Sequence, residues 1–200
     1  MNPLVGAITY RFSSPAIPSK SLYVNLISKY TCVNDCVFCS RPRGENERGK
    51  PNFYETGAGV SLYLSRSPTI EEVMASISSN IRPDDEELAF VGAGEPLVYL
   101  PKVCEIIRSI KKEHKVRVRV DTNGAVKLMF PDPAKSLADA GLDEIRISVN
   151  ALTEEEYNAM CRPSLDGTYR SMLSFVKDCI SEGIETKASE LLQLHELAEA

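Results

Sequence analysis

The feature that most constrains the fold is an alternation of short apolar segments with amphipathic helical patterns along most of the chain. Apolar residues recur at helical spacing after Thr69, where Glu72 completes a capping box, and Gly141 ends another helical segment. The predicted strands are residues 21–28, 88–91, 116–120 and 144–150. Strands separated by helices predict βαβ units and therefore a parallel sheet of the α/β class.

Two of these strands carry a polar face. In the fourth strand Ile145 and Ile147 alternate with Arg146 and Ser148, and the third strand alternates valines with charged residues. A parallel sheet normally buries apolar side chains on both faces, and a closed eight-stranded barrel is filled by them. We therefore expect a partial (β/α) barrel of the TIM-like type, whose polar lumen binds a polar ligand. The alternative is an antiparallel sheet with one solvated face.

The C-terminal part of the chain departs from this pattern. Residues 184–189 make a poor fifth strand, and residues 191–200 have the composition of a helix. We therefore expect a single domain over residues 1–200 whose barrel is shortened or atypical at its C-terminus.

Composition and charge argue against several classes of protein. Hydrophobic residues make up 43% and charged residues 26% of the 200 residues, which is typical of a globular domain. The net charge of −5 does not support nucleic-acid binding, and the longest apolar runs are far shorter than the ~20 residues that cross a bilayer. The first residues do not form a basic segment followed by an apolar one, so we expect no secretory signal and a cytoplasmic protein.

Three of the six cysteines, Cys32, Cys36 and Cys39, lie within eight residues. In a reducing compartment thiols are more often ligands or catalysts than disulfides, and thiolates bind iron–sulfur clusters, zinc or Cu(I). Three cysteines on a four-iron cluster leave one iron open, because fully protein-bound clusters use four. Structural zinc needs a fourth ligand, which one of the other cysteines would have to supply. The spacing favours a cluster with an open iron over zinc, and over a cysteine group without metal.

The cysteine loop resembles that of a known enzyme family. Its Cys-x3-Cys-x2-Cys spacing, with Phe38 immediately before Cys39, is similar to the cluster loop of the radical S-adenosylmethionine (radical SAM) superfamily. After the second strand, Gly94 and Glu95 stand in an Ala-Gly-Glu-Pro segment that resembles the superfamily's Gly-Gly-Glu-Pro motif. In that family the motif contacts the amino group of S-adenosylmethionine, and this chain departs from it by having Ala93 in place of the first glycine.

Polar residues at the ends of the third and fourth strands extend the resemblance, which covers about residues 20–180. Thr122 begins a Thr-Asn-Gly segment that is similar to the third-strand ending of these enzymes. Ser148 and Asn150 resemble residues that approach the methionine or ribose part of the cofactor. The Leu-Tyr-Leu segment at 62–64 and the Cys-Arg-Pro segment at 161–163 are similar to the short TatD-associated radical SAM proteins.

The resemblance implies a specific chemistry and a specific set of ligands. Cys32, Cys36 and Cys39 would hold a [4Fe–4S] cluster whose open iron binds S-adenosylmethionine. The residues implied in contact with that cofactor are Phe38, Gly94, Glu95, Thr122, Ser148 and Asn150. The implied protein is an oxygen-sensitive enzyme that takes an electron from an external flavodoxin- or ferredoxin-type donor. It would cleave S-adenosylmethionine to a 5′-deoxyadenosyl radical, which abstracts hydrogen from an unidentified substrate. The alternative is a non-catalytic iron–sulfur or zinc module that carries electrons or binds a partner.

Overall fold

The structure is a computed structural model that describes residue 4 and residues 6–12, 20–39 and 61–189. Its sheet has six strands in the order β1-β2-β3-β4-β5-β6, with β1 and β6 at the edges. The strands are β1 (Thr9–Tyr10), β2 (Ser21–Val24), β3 (Glu87–Phe90), β4 (Arg117–Thr122), β5 (Glu144–Ser148) and β6 (Glu185–Ser189). The strands from β2 to β6 are parallel, and β1 pairs antiparallel with β2. The expected parallel α/β architecture is confirmed, and the antiparallel alternative is wrong.

Within residues 61–189, five α-helices connect or follow the parallel strands. They are α1 (Ile70–Asn80), α2 (Leu100–Glu113), α3 (Pro133–Ala140), α4 (Glu154–Cys161) and α5 (Thr168–Ser181), and short 3-10 turns span Pro96–Tyr99 and Ala125–Leu128. The predicted capping box forms at the start of α1, where the Thr69 hydroxyl accepts from the Glu72 amide and the Glu72 carboxylate accepts from the Thr69 amide. Gly141, with a φ of +92°, ends α3 in the left-handed region that glycine adopts without strain.

The two faces of the sheet differ as the alternation predicts. Val118, Val120, Ile145 and Ile147 are fully buried in the core that the helices cover. The opposite face carries charged side chains joined in ion pairs. Its residues include Glu87, Arg117, Arg119, Asp121, Glu144, Arg146 and Lys187. This polar face lines the inside of a partial, unclosed TIM-like barrel.

The C-terminal strand corrects one expectation. Residues 184–189 make a poor strand by sequence, yet β6 pairs in parallel with β5 over five residues. Ion pairs to β4 and β5 stabilise this strand in place of apolar packing. Lys187 binds Glu144 at 3.0 Å, and Arg117 of β4 binds Glu185 at 2.6 Å. Residues 191–200, expected to be helical, lie outside the described residues, and the single domain over residues 1–200 stays a prediction.

Other strand bounds also differ from the sequence prediction: β4 continues to Thr122 instead of residue 120, and β5 ends at Ser148 instead of residue 150. The first predicted strand, residues 21–28, is shorter in the structure because β2 ends at Val24. The short β1 was not predicted, because two residues carry no detectable periodicity. Among the described residues, no helix is both long enough and apolar enough to cross a membrane.

Candidate functional site

One cavity of about 380 Å³ lies where the parallel strands end and the cysteine loop begins. Ligands of α/β folds gather at this edge, outside the carboxyl ends of the strands. All nine residues singled out from the sequence line this cavity: Cys32, Cys36, Phe38, Cys39, Gly94, Glu95, Thr122, Ser148 and Asn150. The structure therefore brings together residues from four separate segments of the chain. No single motif could establish that these residues lie close together.

The cysteine loop is fastened to the C-terminal end of α4. The backbone amides of Asp35 and Val37 donate to the carbonyls of Cys161 and Met160 at 2.9 and 2.8 Å. The side-chain amide of Asn34 donates to the Tyr157 hydroxyl at 2.9 Å, and both residues are buried. The loop that carries the three cysteines is thus held by a helix more than a hundred residues away in sequence.

Gly94 allows the loop after β3 to approach the cysteine loop closely. Its φ is +133°, and a Cβ atom placed there would lie 2.5 Å from the Thr31 carbonyl oxygen. The amide of Glu95 then donates to that same oxygen at 2.9 Å. Ala93, the departure from the family motif, is 8% exposed and packs with Tyr10 and Tyr30. A glycine is required at position 94 because no side chain fits between the two loops.

The carboxylate of Glu95 joins the ends of β3 and β4. One oxygen accepts from the Leu97 amide at 2.9 Å and from the Thr122 hydroxyl at 2.7 Å. The other accepts from the Asn123 amide at 2.7 Å. Burial raises the pKa of Glu95 to about 7, although these three hydrogen bonds favour the charged form and oppose the shift. Through these three hydrogen bonds, Glu95 holds the segments that follow β3 and β4 next to each other at the cavity.

Two asparagines that follow neighbouring strands direct their side-chain amides at sulfur atoms. Asn123 Nδ2 lies 3.5 Å from Cys32 Sγ, and Asn150 Nδ2 lies 3.5 Å from Cys161 Sγ. Asn123 lines the cavity but was not among the predicted site residues, since Asn-Gly is also a frequent turn signal. The sequence signal that could have identified Asn123 as a site residue is its position between the end of β4 and a glycine.

The six cysteines fall into two environments. Cys104 and Cys179 are buried in the helix-covered core, where burial raises the pKa of both thiols, that of Cys179 to about 12. Cys161 instead reaches the cysteine loop, and contact with Cys36 lowers the pKa of the Cys161 thiol. Of Cys104, Cys161 and Cys179, Cys161 is therefore the one that contacts the cysteine loop in the part of the chain that the structure describes.

Comparison with known proteins decides the family. The family model of the Radical SAM superfamily matches residues 26–196 of the chain. The chain belongs to the radical SAM superfamily. Enzymes of this family use a [4Fe–4S] cluster and S-adenosylmethionine and generally need an external electron donor.

Curated radical SAM relatives are larger than this chain. "Probable GTP 3',8-cyclase" of Methanocaldococcus jannaschii is 27% identical over 143 residues, which are 72% of this chain and 40% of that protein. "Probable dual-specificity RNA methyltransferase RlmN" of Microcystis aeruginosa is 27% identical over 165 residues, which are 82% of this chain and 43% of that protein. The chain therefore spans about two fifths of the length of these relatives.

Solved structures of radical SAM proteins share the fold. The AdoMet-bound structure of anSMEcpe has a TM-score of 0.56 at 18% identity and covers 84% of this chain and 42% of its own. HydG, a maturase of the [FeFe]-hydrogenase, has a TM-score of 0.56 at 19% identity and covers 86% of this chain and 34% of its own. At this identity the likeness establishes the fold. The narrower resemblance to TatD-associated proteins stays a prediction.

The sulfur atoms suit a cluster of this family. No set of three or more Cys, His, Asp or Glu side chains within the described ranges is arranged to hold a single metal ion. Each cysteine ligand of a four-iron cluster binds a different iron, so its sulfurs stand farther apart than those around one ion. Cys32, Cys36 and Cys39 all line the same cavity, and their thiolate chemistry suits iron.

Proposed function

We propose that this chain catalyses radical SAM chemistry, with the cluster held by Cys32, Cys36 and Cys39 and S-adenosylmethionine bound in the same cavity. One observation carries the proposal: the three cysteines and the polar strand ends line a single space at the carboxyl edge of a parallel sheet. A reduced cluster with bound S-adenosylmethionine supplies reductive cleavage of the cofactor to a radical that can abstract hydrogen from a substrate. The chain itself supplies ligands, orientation and exclusion of water.

The cavity residues divide into two groups by what their side chains already contact. Glu95 and Thr122 are buried and bonded to each other, so we assign them to holding the loops that face the cofactor. Phe38 is 47% exposed and offers a ring face on which an adenine can stack. Ser148 and Asn150 are partly buried at the end of β5 and can donate hydrogen bonds to the methionine or ribose part.

The Glu95 carboxylate, which lines the cavity beside Gly94, is the part of the motif that we propose to meet the amino group of the cofactor, in addition to holding the loops. The Glu95 carboxylate accepts three hydrogen bonds within the chain, out of about four that a carboxylate can accept. It therefore has room for one further donor such as an ammonium group. In its ionised form, which predominates above its pKa of about 7, the carboxylate also favours a cation nearby.

We further propose a flavodoxin- or ferredoxin-type electron donor in the cytoplasm. The family requirement for an external donor supports this assignment, and so does the reducing environment in which cysteines serve as ligands. Val37 and Phe38 of the cysteine loop are each nearly half exposed, so this loop is accessible to a partner.

The test is an anaerobic assay for 5′-deoxyadenosine. The chain is reconstituted with iron and sulfide, reduced with dithionite and supplied with S-adenosylmethionine. We expect product from the wild-type chain and from Cys104→Ala, which changes a buried core cysteine, and none from Cys36→Ala. About four irons per chain without product would favour an electron-carrying module. Retention of zinc alone would contradict the proposal and favour a structural domain.

A further inference from the structure

Asn123 is held so that its side-chain nitrogen faces the cluster ligand Cys32. Its Oδ1 atom accepts from the Ala125 amide at 2.9 Å, which forms a tight Asx turn. Because that amide needs an acceptor, the oxygen must lie on that side and the NH₂ group on the other. The backbone amide of Asn123 donates to Glu95 at 2.7 Å and fixes the residue at a second point.

The turn that carries Asn123 is also held by close packing of the next residue against α5 and β5. The next residue, Gly124, has a φ of +75°, and a Cβ atom there would lie 2.7 Å from Met172 and 3.0 Å from Ile147. The amide of Gly124 donates to the Thr122 hydroxyl at 3.1 Å. The direction of the Asn123 amide is thus set by the fold and does not depend on a ligand.

We propose that Asn123 raises the reduction potential of the cluster by donating a hydrogen bond from its side-chain amide to the Cys32 sulfur. This inference rests on the proposed function, because it requires that Cys32 bind the cluster. The donor atom lies 3.5 Å from the sulfur, and the backbone amide of Asn34 approaches the same sulfur at 3.4 Å. Asn123 is a positioning residue in this role, because it acts through Cys32.

The physical reason is the charge on the cysteine sulfur. Adding an electron makes the cluster and its thiolate ligands more negative, and an N–H donor interacts more strongly with the more negative state. Hydrogen bonds to the sulfurs are among the factors that set the potential of such clusters. Loss of the donor should therefore make reduction harder.

The test is a redox titration of the cluster-loaded chain, followed by electron paramagnetic resonance of the reduced cluster. Asn123→Ser keeps an oxygen that can accept from Ala125 but is too short to reach the sulfur. We expect the ratio of reduced to oxidised cluster at a fixed potential to fall about tenfold, which is about 59 mV for one electron. Asn123→Asp keeps the acceptor and replaces the donor by a charged oxygen, so its potential should fall further.

The controls separate this inference from the proposed function. Asn80→Ser makes the same substitution at the end of α1, outside the cavity, and we expect its potential to match that of the wild type. A wild-type chain that takes up no [4Fe–4S] cluster would refute the proposed function. A wild-type chain that loads about four irons, with both Asn123 variants at the wild-type potential, would overturn this inference alone. An equal shift in Asn80→Ser would also overturn it.

Discussion

The link between Asn34 and Tyr157 offers a direct test of how the cysteine loop is held. Tyr157→Phe removes one hydroxyl and keeps the ring, which is fully buried and packs against the Tyr169 ring at a centroid distance of 5.4 Å. The change therefore leaves packing nearly intact. It deletes the acceptor that lies 2.9 Å from the Asn34 side-chain nitrogen.

The expected cost follows from the burial of both partners. Asn34 is 3% exposed, so water cannot readily replace the lost hydroxyl. Removing one partner from a buried hydrogen bond costs about 1–3 kcal/mol. At about 2 kcal/mol the population of chains in which the cysteine loop has opened rises about thirtyfold, since 1.4 kcal/mol is about tenfold. Helix α4 itself keeps its capping box at Thr153 and should stay folded.

The assay measures the rate at which the loaded protein loses iron to a ferrous chelator under anaerobic conditions. If iron escapes through local opening of the loop, the rate follows the open population. The matched control is Tyr169→Phe, which also deletes a hydroxyl, in this case one that donates to the Leu152 carbonyl at 2.6 Å. Both variants should unfold more easily in urea, but only Tyr157→Phe should lose iron faster. Equal rates in the two variants, or a wild-type rate in Tyr157→Phe, would refute the reasoning.

Three further changes test other parts of the site. Gly94→Ala places a methyl group against the Thr31 carbonyl and should prevent stable iron uptake, which is measured as iron bound per chain. The control is Gly167→Ala, where the added atom meets open space and iron uptake should be kept. Because burial raises the pKa of Glu95 from 4.5 to about 7, its contribution to stability is fully present below pH 4.5 and lost as the pH rises through 7. Urea unfolding should therefore show a decrease between pH 4 and 9 that is about 3 kcal/mol larger in the wild type than in Glu95→Gln. Arg119→Met should cost about 2–3 kcal/mol in urea unfolding, because it leaves two carboxylates without their cation and one of them is about a third exposed.

Much of the fold and of the site was accessible from the sequence, because the signals are local. The capping box at Thr69 and the alternation in β5 each lie within a few residues, and each predicts its element without knowledge of the rest. The spacing of the three cysteines by itself favours a metal site over a cysteine group without metal. Once the strands are known to be parallel, their ends must meet at one edge, so residues such as Thr122 are expected near the cysteines.

Other features depend on distant partners and left no local signal. β6 forms because Lys187 meets Glu144 across the strand boundary, although its own sequence is a weak strand. Cys161 looks like any helical core cysteine until the chain brings it against Cys36. The amide direction of Asn123 depends on a turn whose geometry the sequence suggests, but whose target is set by the position of Cys32.

The charged inner face of the sheet explains why this barrel has a cavity at all. A closed barrel of this type is packed with branched apolar side chains, which leave no room for a ligand. Here Arg119 is 3% exposed, and its guanidinium binds Glu87 at 2.8 Å and also binds Asp121, so the floor of the lumen is closed by ion pairs that satisfy one another. Asp121 also lines the cavity. Because a buried ion pair tolerates nearby water and polar groups better than an apolar core does, the space between this floor and the cysteine loop suits a charged cofactor. The residues that make the strands look half-solvated in sequence therefore include Asp121 and Ser148, which line this cavity.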